Sequence, residues 1–201
     1  RCCRMETYVD KRIQRSVNAI KAAFLTCLEQ KPFHEITISE IVRLADYNRG
    51  TFYAHFESKE HLLQYIIDET LKNMIKEIQA PYQHLQQVDM RALDVNSITL
   101  FQYFLKNKQL FQLLLSPHIQ VDMRYQIGLA IEQLFIQQYE YELTSTEVDI
   151  KWLYVYRAHG LAAMIIRWIE EDFSTPAQEM AKQVLQLMTL VTYTFKPKNI
   201  V

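Results

Sequence analysis

Residues 33–62 read FHEITISEIVRLADYNRGTFYAHFESKEHL, and the signals in this stretch decide the fold. Thr37, followed three residues later by Glu40, has the spacing of a capping box, which marks the start of a helix. The apolar pattern continues to Leu44, after which the segment 46–48 interrupts it. The stretch therefore predicts a short helix that ends before this break.

A second short helix is predicted directly after the break. Asn48 is a good N-cap for a helix over residues 49–55, and Ser58 caps a longer helix that starts at Lys59. Two short helices joined by a brief turn and braced by longer helices make a helix-turn-helix. The outer face of the second helix would offer a forked donor for guanine edges, hydroxyls for phosphate oxygens and a small residue for close approach, namely Arg49, Thr51, Tyr53 and Ala54.

The rest of the chain is predicted to be helical as well. It contains only three glycines, whereas average usage of about 7% would give roughly fourteen, so the tight turns of a sandwich or barrel are scarce. Single, scattered glycines also exclude a phosphate-binding loop. We expect an all-α fold with one domain over residues 5–66 and a second, helical bundle over residues 67–201. Apolar spacing predicts helices over 9–28, 63–78, 95–106, 108–115, 118–141, 147–172 and 177–195, with a loop over 83–94.

Charge and composition narrow the class of protein. The formal net charge is −1, and the first 60 residues hold ten basic and eight acidic residues, a small positive excess consistent with a nucleic-acid module. Cys2, Cys3 and Cys27 have no metal-ligand spacing, and no catalytic or cofactor motif occurs. We expect a cytosolic protein that is not an enzyme and holds no metal or cofactor. Met5 is the first methionine, so residues 1–4 are expected to lie outside the domain.

The same stretch closely resembles the N-terminal signature of the TetR/AcrR family of transcriptional regulators. The resemblance rests on a turn, Ala45-Asp46-Tyr47-Asn48, on Gly50-Thr51-Phe52-Tyr53-Ala54-His55-Phe56, and on the cap Ser58-Lys59-Glu60-His61-Leu62. Three turn residues depart from the family pattern, because Asp46 replaces a glycine, Tyr47 a small apolar residue and Asn48 a serine. The turn is still expected to form, since aspartate tolerates a left-handed backbone conformation.

The resemblance implies which residues face DNA. Arg49 would read bases directly, and Tyr53, His55 and Lys59 would anchor phosphates. The complete DNA-binding set implied is Thr37, Tyr47, Asn48, Arg49, Gly50, Thr51, Tyr53, His55 and Lys59.

Several of these residues have a structural alternative. Thr37 and Asn48 could serve only as helix caps. His55 could be a histidine satisfied within the fold, and Tyr53 could be a half-buried core aromatic.

The C-terminal part resembles the family in layout, as a bundle followed by two dimer-forming helices. Its stretch 160–188 resembles the dihydroxyacetone kinase regulator-like type of C-terminal domain. An apolar excess on the last two long helices predicts a dimer interface that contains Leu161, Met164, Ile165, Trp168, Leu187 and Val191.

An effector pocket is the other feature expected of this part of the chain. Arg157 and His159 could orient a ligand among aromatic walls, although the same aromatics could simply fill the core of the bundle. The candidate lining residues are Phe101, Phe104, Phe111, Tyr125, Phe135, Trp152, Tyr156, Arg157 and His159.

The resemblance as a whole implies a homodimeric repressor that binds double-stranded operator DNA and is released by a small-molecule effector. One alternative is a regulator controlled by a protein partner, without a small-molecule pocket. The other is a helical interaction module that no longer binds DNA.

Overall fold

The computed structural model describes the backbone of residues 2–141, 147–189 and 194–197, and the side chains of residues 11–141 and 147–189. The chain divides into two compact units. The N-terminal unit comprises Arg1–Glu69 together with Ser116–Val121, and the C-terminal unit comprises Thr70–Leu115 and Asp122–Val201. The domain boundary expected at residues 66 and 67 lies inside a continuous helix, Lys59–Gln79.

The N-terminal unit is built on a long first helix and three helices that follow it. Their order is α1 (Cys2–Gln30), α2 (Ile38–Leu44), α3 (Arg49–Tyr53) and the first half of α4 (Lys59–Gln79). Helix α1 begins at Cys2, so residues 2–4, which were expected to lie outside the domain, are part of the helix. The spacing of apolar residues along α1 places one stripe in the core, where Ile20, Phe24, Leu28, Ile41, Phe52 and Leu62 are fully buried.

A short loop, Ser116–Val121, belongs to the N-terminal unit although it is distant in sequence. The Phe33 amide donates to the His118 carbonyl oxygen at 2.9 Å. His118 Nδ1 in turn donates to the Leu28 carbonyl oxygen at 2.8 Å. The loop therefore satisfies backbone groups at the end of α1 and before α2.

The C-terminal unit is helical, which confirms the expected all-α architecture. It continues α4 and adds α5 (Leu100–Lys106), α6 (Lys108–Leu114), α7 (Met123–Gln138), α8 (Ile150–Glu170) and α9 (Ala177–Met188). Helices α7 and α8 make the most extensive contact. Gly128 on α7 allows this close approach, since a Cβ there would lie 2.5 Å from the His159 ring on α8.

A small antiparallel sheet is an addition that sequence patterning did not predict. Its strands are β1 (Val88–Asp89), β2 (Tyr139–Tyr141) and β3 (Thr194–Pro197), in the order β1-β3-β2. Strand β3 lies partly within the helix predicted over 177–195, which ends at Met188. The helix predicted over 118–141 likewise begins at Met123 and gives way to β2 after Gln138.

None of the helices in the described part of the chain is both long enough and apolar enough to cross a membrane.

Candidate nucleic-acid interface

Helix α2 starts with the capping box that the sequence predicts. The Glu40 amide donates to Thr37 Oγ1 at 3.3 Å, and the Thr37 amide donates to Glu40 Oε2 at 2.9 Å. Lys31 Nζ donates to the same carboxylate at 2.6 Å. Hydrogen bonds from Lys31 and then Thr37 lower the pKa of Glu40 from its ordinary 4.5 to about 2. Thr37 is therefore a cap, and its side chain is also exposed at the start of α2.

The turn between α2 and α3 forms as the sequence predicts, with one residue in a left-handed backbone conformation. Asp46 has a φ of 57°, so an aspartate supplies the left-handed position where the family pattern has glycine. The Tyr47 amide then donates to the Val42 carbonyl oxygen at 2.9 Å. Asn48 caps α3, because its Oδ1 accepts from the Thr51 amide at 2.8 Å.

Helix α3 buries one residue and exposes most of the others. Phe52 is fully buried and anchors the helix in the core, whereas Tyr53 is 55% exposed and Tyr47 is 38% exposed. Tyr53 is therefore not a core aromatic. Asn48, Arg49, Gly50 and Ala54 are exposed as well. A surface of this kind, with donors, hydroxyls and two small residues, has the chemistry that base edges and phosphates require.

Arg49 is held at this surface by a contact with α2, in which its Nη2 donates to Ser39 Oγ. Gly50 follows it, and a Cβ at Gly50 would lie 3.2 Å from Asn48 Oδ1, close to the atom that caps the helix. Any larger residue at Gly50 would thus crowd the cap. The first turn of α3 is compact, and it presents the Arg49 guanidinium beside the exposed backbone of Gly50.

His55 is half-buried and is bonded within the N-terminal unit. The Ser16 hydroxyl donates to the Ile13 carbonyl oxygen at 2.8 Å and lies 2.7 Å from His55 Nε2. Because that hydroxyl hydrogen is used, His55 Nε2 is the donor in the second bond. This bond joins the segment after α3 to α1, so His55 has a structural role, and a phosphate contact by its side chain stays a prediction.

Lys59 is also bonded within the N-terminal unit. Its ammonium donates to the carbonyl oxygens of Phe33, His34 and Ile36 at 2.9, 3.2 and 2.9 Å, and it lies 4.6 Å from the centre of the Phe33 ring. An ammonium has three N–H donors, and these three carbonyls occupy them. Lys59 therefore ties the start of α4 to the segment before α2, and a phosphate could reach it only by displacing these bonds.

The structure adds exposed polar residues that the sequence analysis did not assign to the interface. Ser39 and Arg43 on α2 are exposed next to the turn, and Lys11, Arg12 and Arg15 are exposed on α1. Their positions off the buried stripes of α1 and α2 are the signal that could have found them.

A cavity of about 70 Å³ lies within the C-terminal unit. Of the predicted pocket residues, Phe101, Phe135 and Arg157 line it. Leu161, which was assigned to the dimer interface, lines it as well. Residues that the sequence analysis missed complete the wall, and they come from α4, from the segment 81–100, from β2 and from α9, including Ile78, Tyr82, Leu93, Ile98, Tyr139, Tyr141 and Val184.

The other predicted pocket residues lie elsewhere in the C-terminal unit. Phe104 and Phe111 are fully buried and pack together with ring centres 4.3 Å apart, so they fill the core. His159 bonds to Glu132 at 2.9 Å. The remaining three aromatics are strongly exposed, namely Tyr125, Trp152 and Tyr156. Helical spacing identifies the side of a helix but not what covers that side.

The residues predicted for the dimer interface divide in the same way. Leu161, Ile165 and Trp168 are buried inside the C-terminal unit, and Trp168 Nε1 donates to the Thr175 carbonyl oxygen at 2.7 Å. These three cannot form an interface, because their surface is already covered. Met164 is half-buried and Leu187 is exposed, whereas Val191 lies outside the residues whose side chains the structure describes.

The exposed side of α8 is formed by other residues, which we call the outer stripe of α8. Trp152 and Tyr156 are 62% and 67% exposed, the largest exposed fractions among the large hydrophobic side chains that the structure describes. Gly160, Ala163 and Arg167 are exposed further along the helix. The spacing of four, four, three and four residues puts all five on one side of α8.

Two family profiles match the chain. The profile described as bacterial regulatory proteins, tetR family, matches residues 20–66. The profile described as transcriptional regulator C-terminal region matches residues 96–190. The first range contains α2, the turn and α3, and the second contains α5 to α9.

Known proteins are similar over different shares of the chain. The HTH-type transcriptional regulator YxbF of Bacillus subtilis is 28% identical over 201 residues, which cover 94% of this chain and 48% of that protein. The HTH-type dhaKLM operon transcriptional activator DhaS of Lactococcus lactis is 30% identical over 91 residues, 44% of this chain and 49% of the relative. The chain therefore spans about half the length of the curated relatives it matches.

A solved structure shows the same fold. The TetR transcriptional regulator from Streptococcus agalactiae 2603V superposes with a TM-score of 0.59 at 21% identity, over 90% of this chain and 98% of that one. The resemblance inferred from residues 33–62 is thus confirmed by profile, by relatives and by fold. With its capped helix-turn-helix and its helical C-terminal unit, this chain belongs to the TetR family of bacterial regulatory proteins.

Proposed function

We propose that the chain is a sequence-specific DNA-binding transcriptional regulator that acts in the cytoplasm as a homodimeric repressor. The observation that carries the proposal is the exposed side of α3, where Arg49, Tyr53 and the small residues Gly50 and Ala54 are presented by a helix whose Phe52 is fixed in the core. A rigid helix with an open polar side is what major-groove reading needs.

A second copy of the chain is the proposed partner of the outer stripe of α8. Trp152 and Tyr156 supply aromatic area, and Gly160 and Ala163 allow the backbone of another helix to approach closely. Isologous pairing of one helix face is the simplest way to form a two-fold dimer. Such a dimer would present two recognition helices to two half-sites about 34–36 Å apart.

The cavity of the C-terminal unit supports control by a small molecule. Its walls are mostly apolar, and it contains few polar groups, which is the usual composition of a ligand site. Glu77 and Ile78 of α4 are wall residues, and α4 continues without a break back to Lys59. A ligand that binds one position of α4 better than another would favour a dimer whose recognition helices are wrongly spaced for the operator.

Selection of bound duplexes from random oligonucleotides tests the DNA-binding function. We expect a pseudo-palindromic site whose half-sites are separated by about one helical turn. Recovery of no common sequence would overturn the proposal and favour a helical interaction module without DNA binding. The mode of regulation is then read from a reporter downstream of the selected site, where we expect expression to fall when the chain is present.

A further inference from the structure

One wall residue of the cavity in the C-terminal unit is a buried cation, Arg157. Arg157 is only 3% exposed, and its guanidinium carbon lies 4.6 Å from the centre of the Tyr141 ring. Its Nη2 donates to the Met188 carbonyl oxygen at the end of α9. These contacts fix a permanent positive charge in the cavity wall, since a guanidinium does not lose its proton in a protein.

Three tyrosines also line the cavity. Tyr82, Tyr139 and Tyr141 line the wall, and the rings of Tyr82 and Tyr139 lie 5.6 Å apart. Burial raises the pKa of the Tyr141 hydroxyl to about 12, although the nearby Arg157 charge acts in the opposite direction. Burial raises the pKa of the Tyr139 hydroxyl as well. Burial raises the pKa of the Tyr82 hydroxyl too, so the three phenols keep their protons at neutral pH and are neutral hydrogen-bonding groups.

The remainder of the wall is apolar. It is formed mainly by aliphatic side chains and two phenylalanines from α4, α5, α7, α8 and α9 and from the segment before α5, including Ile78, Leu93, Ile98, Phe101, Phe135, Leu161 and Val184. Glu77 is the other charged wall residue, but it is half-exposed and accepts the Thr99 hydroxyl at 2.6 Å. The cavity wall is thus mostly apolar, and its polar groups are one buried cation, three neutral phenols and the half-exposed Glu77.

The size of the cavity limits the ligand. On the scale where one water molecule needs about 10–15 Å³, a volume of about 70 Å³ admits only a small molecule. Long acyl chains would require the walls to move apart.

We propose that the effector is a small carboxylic acid with an apolar chain or ring, whose carboxylate binds the Arg157 guanidinium and whose hydrocarbon fills the space beside Phe101, Leu161 and Val184. This inference rests on the proposed function for its regulatory consequence, and it names the chemistry of the ligand. A charge-assisted hydrogen bond inside a largely apolar cavity is stronger than the same bond in water, so the carboxylate carries much of the affinity.

The test compares three probes of equal chain length, hexanoate, hexan-1-ol and hexylamine, at constant ionic strength. Binding is measured by calorimetry on the full chain, without DNA. We expect hexanoate to bind at least about tenfold more tightly than hexan-1-ol. Hexylamine should bind more weakly than hexan-1-ol. Equal binding of the three probes, or a preference for the amine through Glu77, would overturn the proposal.

Two variants locate the binding site. Arg157→Met should abolish the preference for hexanoate, whereas Lys182→Met, which removes an exposed lysine of α9, should leave it unchanged. If Arg157→Met fails to fold, Val184→Phe decides the matter, because it fills the apolar part of the cavity and should prevent binding of every probe. Hexanoate that still binds to a folded Val184→Phe variant would place the site elsewhere and contradict the inference.

The regulatory consequence is measured separately, as the affinity for the selected operator with and without hexanoate. We expect hexanoate to weaken operator binding in the unaltered chain and not in Val184→Phe. An operator that is bound but never released by any of the probes would refute this effector chemistry and leave the DNA-binding function intact. Failure to select any operator would refute the proposed function. The preference for hexanoate in calorimetry is measured without DNA and would still test the ligand chemistry.

Discussion

Arg49 and Lys59 are both cations of the helix-turn-helix, but their charges have different surroundings. The Arg49 side chain is exposed and donates to Ser39 on the neighbouring helix, whereas Lys59 donates to three backbone carbonyls. The sequence cannot separate these roles, because the carbonyls that meet Lys59 lie 23 to 26 residues away along the chain. Resemblance to a family motif predicts which residue types occur at the site, whereas tertiary contacts determine the role of each side chain.

Arg49→Ala should reduce sequence preference. Loss of a base-reading arginine costs about 1–3 kcal/mol per half-site, and the loss falls on operator DNA rather than on random DNA. Titrations with both DNAs measure the ratio of the two affinities, which we expect to shrink. Tyr53→Phe is the matched control, since loss of a neutral phosphate contact should weaken both affinities and keep their ratio. An unchanged ratio for Arg49→Ala would make it a phosphate contact and shift base reading to Tyr47, Asn48 or Thr51.

Lys59→Met should act on stability rather than on DNA binding. It removes three hydrogen bonds from a charged donor, so we expect the free energy of unfolding to fall by about 1–3 kcal/mol. Lys11→Met removes an exposed cation of α1 and should change that free energy by less than about 0.5 kcal/mol. Chemical denaturation measures both. If Lys59 were a phosphate anchor instead, its loss would reduce the slope of the logarithm of DNA affinity against the logarithm of salt concentration by about one.

Glu40 gives the N-terminal unit a measurable acid dependence. Its folded-state pKa of about 2 lies below its ordinary value of 4.5, so its contribution to stability is present above about pH 4.5 and is lost as the pH falls towards 2. Glu40→Gln keeps a capping-box side chain but does not titrate. We expect the variant to be less stable at pH 7 and the difference from the unaltered chain to shrink between pH 4.5 and pH 2. A difference that is constant over this range would contradict the assignment.

Among the elements, those with local signals could be predicted and those made by distant pairing could not. The caps at Thr37 and Asn48 start α2 and α3 where the sequence indicates, because each cap bonds to an amide three residues away. The sheet pairs Val88 with Phe195, and no local pattern records such a pairing. The same limit applies to the cavity, since periodicity along α8 does not show that Arg157 faces a void and that Tyr156 faces outwards.

The α7–α8 pair depends on a residue that cannot be enlarged. In Gly128→Ala the new Cβ would lie 2.5 Å from His159 Nδ1, so the ring must move and lose its bond to Glu132. We expect thermal unfolding to show a loss of about 1–3 kcal/mol. In a His159→Ala background the same substitution should stabilise the chain by up to about 1 kcal/mol, because alanine favours a helix over glycine. Equal effects of the substitution in both backgrounds would show that the contact between residue 128 and His159 does not limit the packing of α7 against α8.

At the scale of the whole molecule, three of the six residues that the sequence assigned to a dimer interface, Leu161, Ile165 and Trp168, are already buried within one chain. Trp168 packs against Phe101 and Phe173 with ring centres 5.4 and 4.7 Å apart. A substitution such as Trp168→Glu would therefore place a charge in the core of the C-terminal unit and unfold it. Loss of dimers in that variant would say nothing about the interface. The outer stripe of α8 offers a cleaner test, because its aromatics are exposed in the single chain.

Trp152→Glu combined with Tyr156→Glu should produce a folded monomer. Both side chains are more than half exposed, so the charges cost little in one chain, but in a two-fold dimer they would bring like charges together across the interface. Sedimentation should show half the mass of the unaltered dimer, and circular dichroism should show unchanged helix content. Operator binding should be lost, because contact with one half-site cannot replace contact with two. Arg49→Ala serves as the control, since it should stay dimeric while its sequence preference falls. A double variant that stays dimeric and binds its operator would exclude the outer stripe of α8 as the interface and point to the exposed Leu187 side of α9 instead.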